Sequence, residues 1–185
     1  MGNIFECFGR WLRSNDTETD ISLIGLDNAG KTTLLYSLKL GIKVETIPTS
    51  AFNVELVRVG SNKLLIWDVG GQETLRPIWQ HYLDKMNGCI FMVDSSDTDR
   101  FKMAAAELHK YLSLMKQEKF VLLVLFNKSD QCKRYMTKEE IDLFTPDKET
   151  FGDKIIFNSA SCSVLKNENI VDPLIWFSDQ LTLKP

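Results

Sequence analysis

Three short segments carry side chains suited to holding and cleaving a nucleotide. Gly25-Leu26-Asp27-Asn28-Ala29-Gly30-Lys31-Thr32 fits the spelling GxxxxGK[ST], and Thr33 extends the same binding set into the residue that follows. Glycines let successive backbone N–H groups turn inward around a phosphate, Lys31 reaches the β/γ oxygens, and the Thr32 hydroxyl is a hard ligand for Mg²⁺. Such a loop serves an ATPase, a small-molecule kinase or a GTPase equally well. Asn127-Lys128-Ser129-Asp130 narrows the choice. The Asp130 carboxylate can accept from both N1–H and the exocyclic amino group of guanine, a pair of donors that adenine lacks, while the Lys128 stem lies along the ring. Asp68-Val69-Gly70-Gly71-Gln72 adds an acid to hold Mg²⁺ through water, a glycine N–H for the γ-phosphate, and Gln72 to orient an attacking water.

Each segment needs a particular element beneath it. Short apolar runs at Ile21–Gly25, Leu64–Val69, Gly88–Val93, Phe120–Phe126 and Ile155–Phe157 read as strands. Helical spacing marks Thr33–Lys39, Arg100–Lys116, Lys138–Phe144 and Val171–Leu181. The alternation predicts an α/β fold, a largely parallel sheet with helices on both faces. Residues 52–59 and 63–69, joined by Gly60-Ser61-Asn62, predict one antiparallel hairpin. The phosphate loop then lies between a strand and a helix. Asn127–Asp130 falls at a strand's carboxyl end, where open α/β sheets bind ligands.

Bulk properties remove other classes. The 185 residues suit one domain, and 44% hydrophobic with 25% charged residues is ordinary for a globular chain. A net charge of -3 argues against nucleic acid as a partner. Cys7, Cys89, Cys132 and Cys162 lack the spacing of a zinc site and read as free thiols. The N-terminus lacks the apolar core of a secretory signal, so a cytoplasmic protein is expected.

With these motifs in this order, the chain resembles the Arf/Arl (ADP-ribosylation factor-like) family of small GTPases, as a divergent member. The resemblance rests on GLDNAGKT, the stretch PTSAFNVE, WDVGGQ, NKSD and the opening MGNIF, and it spans essentially the whole chain. It implies the small-GTPase P-loop fold, a mostly parallel six-stranded sheet with one antiparallel interswitch hairpin. By the same resemblance Thr49 would be the switch I hydroxyl that joins Thr32 and Asp68 around Mg²⁺. Ser159-Ala160-Ser161 would be the last guanine loop, with the Ala160 N–H facing the base. Phe52, Trp67 and Tyr82 would form the aromatic cluster read by exchange factors and effectors, with simple hairpin packing as the plainer reading. His81 and His109 read as structural.

The expected activity is slow hydrolysis of GTP to GDP, accelerated by a GTPase-activating protein, since no arginine finger is recognisable in cis. The expected partners are guanine nucleotide, an exchange factor, effectors and a membrane surface, in vesicle or protein trafficking at the Golgi or another endomembrane. Two alternatives come with this reading: a GTP-binding scaffold that does not hydrolyse, and a P-loop kinase, which leaves Asn127–Asp130 unexplained.

The chain divides into 1–17, an amphipathic membrane-binding helix and hinge, and 18–185, the GTPase domain. On a helical projection Ile4, Phe5, Cys7, Phe8, Trp11 and Leu12 share one side and Arg10 and Arg13 the other. Gly2 is the expected myristate acceptor, although Glu6 stands where Ser or Thr is preferred. The chain departs from the family at Ser50-Ala51, where Ile-Gly is usual, and at Gln131-Cys132, where Leu-Pro is common. The stretch Ser161–Val164 also lacks the usual glycines. The first change bears on effector choice and switching, the others on the base site.

Overall fold

The computed structural model describes residues 18–40, 49, 52–79 and 86–183. The expected N-terminal helix and hinge, Gly2, Cys7, Ser50, Ala51, His81 and Tyr82 lie outside the described residues. Six strands form one sheet: β1 Glu18–Ile24, β2 Phe52–Val59, β3 Asn62–Val69, β4 Gly88–Asp94, β5 Phe120–Asn127 and β6 Ile155–Ser161. Their order across the sheet is β2-β3-β1-β4-β5-β6. Every pairing is parallel except β2 with β3. This is the doubly covered sheet with a single hairpin that the alternation of apolar runs predicts.

Among the described residues the helices are α1 Lys31–Leu40, α2 Phe101–Ser113, α3 Lys138–Asp142, α4 Lys148–Phe151 and α5 Val171–Thr182. Strand side chains alternate between two cores, as the two-residue repeat demands. Cys89, Phe91 and Val93 of β4 and Phe120, Leu122, Val124 and Phe126 of β5 pack on one face, where Phe101, Ala104, Ala105, Leu108, Tyr111 and Leu112 of α2 meet them. Ile90 and Met92 of β4 and Leu123 and Leu125 of β5 point to the other face, against Leu34 and Leu35 of α1 and Leu174 and Phe177 of α5. Because β4 and β5 are buried along their whole length, their carboxyl ends are rigid mounts for the loops that follow.

Two polar ties fix the periphery. At the hairpin turn, Asn62 Nδ2 donates to the carbonyl oxygen of Ser178 at 3.0 Å and to its hydroxyl at 2.8 Å. Ser178, fully buried in α5, donates in turn to the Val59 carbonyl at 3.0 Å. The short helix α3 starts with a reciprocal cap in which Thr137 and Glu140 satisfy each other's backbone N–H groups. Among the described residues no helix is long and apolar enough to cross a membrane.

Candidate functional site

The turn from β1 into α1 is the phosphate loop, and its side chains are arranged by the strands on either side. Gly25, Leu26 and Ala29 are buried beneath it. Asp27, Asn28, Gly30, Lys31, Thr32 and Thr33 line a cavity of about 530 Å³, closed on its other side by Thr49, Gly71, Gln72, Glu73, Arg76 and Lys128. Gly30 sits at φ +95°, and a Cβ there would lie 2.3 Å from the Asn127 amide. Only glycine lets the phosphate loop and the base-side loop pack this closely.

Lys31 is almost wholly buried, and its ammonium donates to the carbonyls of Gly25 and Leu26, each at 2.9 Å. Burial lowers its pKa to about 8, against the opposing pull of Asp68 and Asp27. Thr32 Oγ1 donates to Asp68 Oδ2 at 2.7 Å and lies 2.8 Å from Thr49 Oγ1. Thr49 Oγ1 is itself 3.3 Å from the same carboxylate oxygen. Asp68 is fully buried at the end of β3, and its Oδ1 has no hydrogen-bond partner among the described residues. Desolvation raises its pKa, with Thr32 and Lys31 opposing the shift. Three converging hard oxygens, one of them a buried carboxylate with an unpartnered atom, suit a hard divalent cation such as Mg²⁺.

The segment after β3, residues 70–78, which the resemblance would make the second switch after Thr49, is fastened directly to the phosphate loop. The Asp27 N–H donates to the Gly71 carbonyl at 3.1 Å. A Cβ on Gly71 would come within 2.4 Å of Gly25 O and Leu26 C. Arg76 Nε donates to the same Gly71 carbonyl at 3.2 Å, and Trp79 Nε1 to Gly70 O at 3.0 Å. The segment Glu73–Ile78 is a 3₁₀ turn with Gln72 exposed at its mouth.

At the far end, Asn127 joins three loops. Its Nδ2 donates to Ala29 O at 2.9 Å, and its Oδ1 accepts from Val164 N at 3.0 Å. Lys128 adopts φ 63°, and its ammonium bonds Asp94 Oδ2 at 2.6 Å. One oxygen of Asp130, Oδ1, is buried with no hydrogen-bond partner among the described residues. The structure thus brings Asn127, Lys128 and Asp130 to the same end of the sheet as Lys31 and Thr32.

Ser159 and Ala160 require a correction. They are not in a loop: both lie within β6, paired in parallel with Val124 and Leu125. The sheet runs beyond the apolar stretch Ile155–Phe157 because backbone pairing with β5 continues through Asn158–Ser161. On an edge strand small polar side chains do not oppose this pairing. The loop that meets Asn127 begins at Cys162, whose carbonyl accepts from Ser129 N at 3.1 Å. Asn167 and Asn169 turn it with φ 59° and 50°, replacing the glycines that the sequence lacks there.

Sequence reasoning also missed Asp94, Arg76 and Arg100. The first was visible as an acid closing the apolar run of β4; the arginines carried no motif. Phe52 and Trp67 do meet, with ring centroids 6.0 Å apart, and Phe52 is half exposed. The His109 ring lies 2.8 Å from Leu143 O, outside the cavity. Cys89, Cys132 and Cys162 are free thiols, and burial pushes Cys89 and Cys162 up to about 12.

Fold and site together define a P-loop protein of the small-GTPase type. The model of the ADP-ribosylation factor family matches residues 5–181, and the chain belongs to that family. It is also similar to the solved structure of the Arl6 BBS3 small GTPase from Trypanosoma brucei with bound nucleotide analogue GppNp. That match has a TM-score of 0.78 and 25% sequence identity, and covers 91% of this chain and 100% of the other.

Proposed function

We propose that this protein is a guanine-nucleotide switch that hydrolyses GTP to GDP slowly on its own and faster with a GTPase-activating protein. The observation that carries the reading is a pair of buried carboxylate oxygens without partners among the described residues, Asp68 Oδ1 and Asp130 Oδ1. Buried carboxylate oxygens are costly unless something bonds them. A divalent cation at the first and a guanine edge at the second are the complements their positions call for.

In this reading Gly25–Thr33 cradle the phosphates and Lys31 places its ammonium on the β/γ oxygens. Mg²⁺ would be held by Thr32 and Thr49 and, through water, by Asp68, and would supply charge neutralisation to the phosphates. Gln72 orients the attacking water and the Gly71 N–H meets the γ-phosphate. Asn127 holds the phosphate and base loops in register, Lys128 covers the ring, and Asp130 reads the base. The N–H facing the base oxygen comes from the loop after Ser161 rather than from Ala160.

Nucleotide state would govern exchange-factor, GTPase-activating-protein and effector binding through Thr49, Gly71 and the Phe52–Trp67 pair. The amphipathic segment 1–17, with myristate on Gly2, would attach the protein to a Golgi or other endomembrane surface for trafficking.

Purified protein, denatured to release its ligand, should yield GDP or GTP on chromatography. Recovery of adenine nucleotide alone, with no binding of added GDP, would sink the assignment. Single-turnover phosphate release should fall about a hundredfold in Gln72→Leu, the scale of a lost transition-state contact. For the membrane role, acylated protein loaded with a GTP analogue should bind liposomes. Binding that persists unchanged in both Gly2→Ala and Phe5→Ala/Phe8→Ala would remove the anchor.

A further inference from the structure

The phosphate loop carries a carboxylate on the side where it would meet a polyanion. Asp27 lines the same cavity as Lys31, Gly71 and Gln72. Its N–H is bonded to Gly71 O, so it stands at the switch end of the cavity. A negative charge there opposes a third phosphate far more than a second. The fold supplies a fixed cation against it. Arg100 Nη1 lies 3.1 Å from each Asp27 carboxylate oxygen, and Nη2 is 3.4 Å from the Asp27 carbonyl.

Arg100 is itself clamped. Its Nε donates to Asp97 Oδ2 at 2.5 Å, and it leads into α2, whose buried face anchors it to the sheet. A second guanidinium, Arg76, is 3.7 Å from Asp27 Oδ1. Its other groups are shared with Gly71 O and Glu107, and it belongs to the switch segment. Among the described residues the ionic groups facing Asp27 are therefore Arg100, Arg76 and Lys31, with Asp97 and Glu107 behind the arginines.

We infer that Arg100 is a positioning residue that sets the preference for guanosine triphosphate over diphosphate, by holding the Asp27 carboxylate at the base of α2 and cancelling its charge at the γ-phosphate end of the loop. This rests on the nucleotide reading given above. Arg100 touches the phosphate loop from behind and need not touch the nucleotide.

The test compares the full chain with Arg100→Gln, Arg100→Lys, Asp27→Asn and Asp27→Asn/Arg100→Gln. Affinities for GDP and GTPγS are read by displacement of a fluorescent GDP at fixed Mg²⁺. In Arg100→Gln the ratio of GTPγS to GDP affinity should fall about tenfold, GDP affinity staying within about threefold, and added salt should shrink the effect. Arg100→Lys keeps the charge but not the fork that grips Asp97 and the Asp27 carbonyl, so the ratio should fall less than in Arg100→Gln. In the Asp27→Asn background, Arg100→Gln should leave the ratio unchanged, because there is no carboxylate left to cancel.

Equal weakening of both nucleotides by Arg100→Gln, a loss in Arg100→Lys as large as in Arg100→Gln, or additive effects in the double variant would each overturn the inference. Failure of the wild type to bind GDP would overturn the nucleotide reading as well. GDP binding with an unchanged ratio in Arg100→Gln overturns this inference alone.

Discussion

Replacing Gly71 with alanine tests the closure of the second switch on the phosphate loop. The added Cβ would stand 2.4 Å from Gly25 O, 2.4 Å from Leu26 C and 2.5 Å from Asp27 N, all backbone atoms. Ordinary contact needs about 3.5 Å, so about 1 Å of separation must be found. The phosphate loop cannot supply it, because Ile24, Leu26 and Ala29 anchor it in the core at 0%, 5% and 1% exposure. The switch segment must move outward instead. Moving breaks the Asp27 N–H bond to Gly71 O and pulls on the buried Trp79 bond to Gly70 O. At about 1 kcal/mol per bond, with lost packing added, the closed arrangement loses about 1–3 kcal/mol. That corresponds to about five- to a hundredfold in its population.

In the proposed reading the γ-phosphate would depend on this closure and the diphosphate would not. Gly71→Ala should therefore bind GDP within about threefold of wild type and lose GTPγS affinity by about five- to a hundredfold, read by displacement of fluorescent GDP. The backbone amides of residues 73–79 should exchange with deuterium faster in the GTPγS-loaded variant than in wild type. Unchanged GTPγS affinity together with unchanged amide exchange in residues 73–79 would refute the reasoning.

Three further outcomes follow from the site. Burial sets Lys31 at about 8, below its unfolded value, so the folded state gives up this proton first. Lys31 should contribute about 2–3 kcal/mol to nucleotide-free protein as pH rises from 8 toward 10.5, read as the difference from Lys31→Met, because the buried thiols of Cys89 and Cys162 pull the other way above about 9. Urea denaturation of the two proteins measures that difference. Asp130→Asn turns an acceptor into a donor toward the base, so GDP affinity should fall at least about a hundredfold while xanthosine diphosphate gains, measured by calorimetry. Asn127→Ala strands the buried Ala29 carbonyl and the Val164 N–H. It should cost about 2–4 kcal/mol in denaturant titration; a loss under about 0.5 kcal/mol would mean that the two loops hold together without it.

The sheet and four of the five described helices were readable because their signals are local and periodic, whereas the single turn Lys148–Phe151 is too short to show a period. Phe120–Phe126 is a continuous apolar run, and Phe101 to Leu112 repeats at helical spacing. The phosphate loop, Asp68 and Asn127–Asp130 were readable for a related reason: their chemistry needs fixed residue types at fixed intervals. What escaped was set by pairing partners distant in sequence. The true end of β6 depends on how far β5 extends beside it, which Asn158–Ser161 do not declare. Arg100 meets Asp27 across 73 positions, and no local pattern distinguishes it from a solvated arginine. Asp94 shows itself as a strand-end acid, yet its partner Lys128 emerges only when β4 and β5 lie side by side.

The hairpin of β2 and β3 has a mechanical consequence. Thr49 precedes its first strand and Gly70-Gly71 follow its second, so both loops at the phosphate end hang from one stiff ribbon. Its turn lies about 26 Å away, the span of eight extended residues, where Asn62 is tied to the fully buried Ser178 of α5. A stiff ribbon would carry a displacement from one end to the other. Any molecule that prefers one placement of the turn against α5 must, by thermodynamic reciprocity, alter the affinity for the ligand that prefers the matching placement of Thr49 and Gly71. The back of the domain is thus as legitimate a place to control this protein as its nucleotide-facing loops.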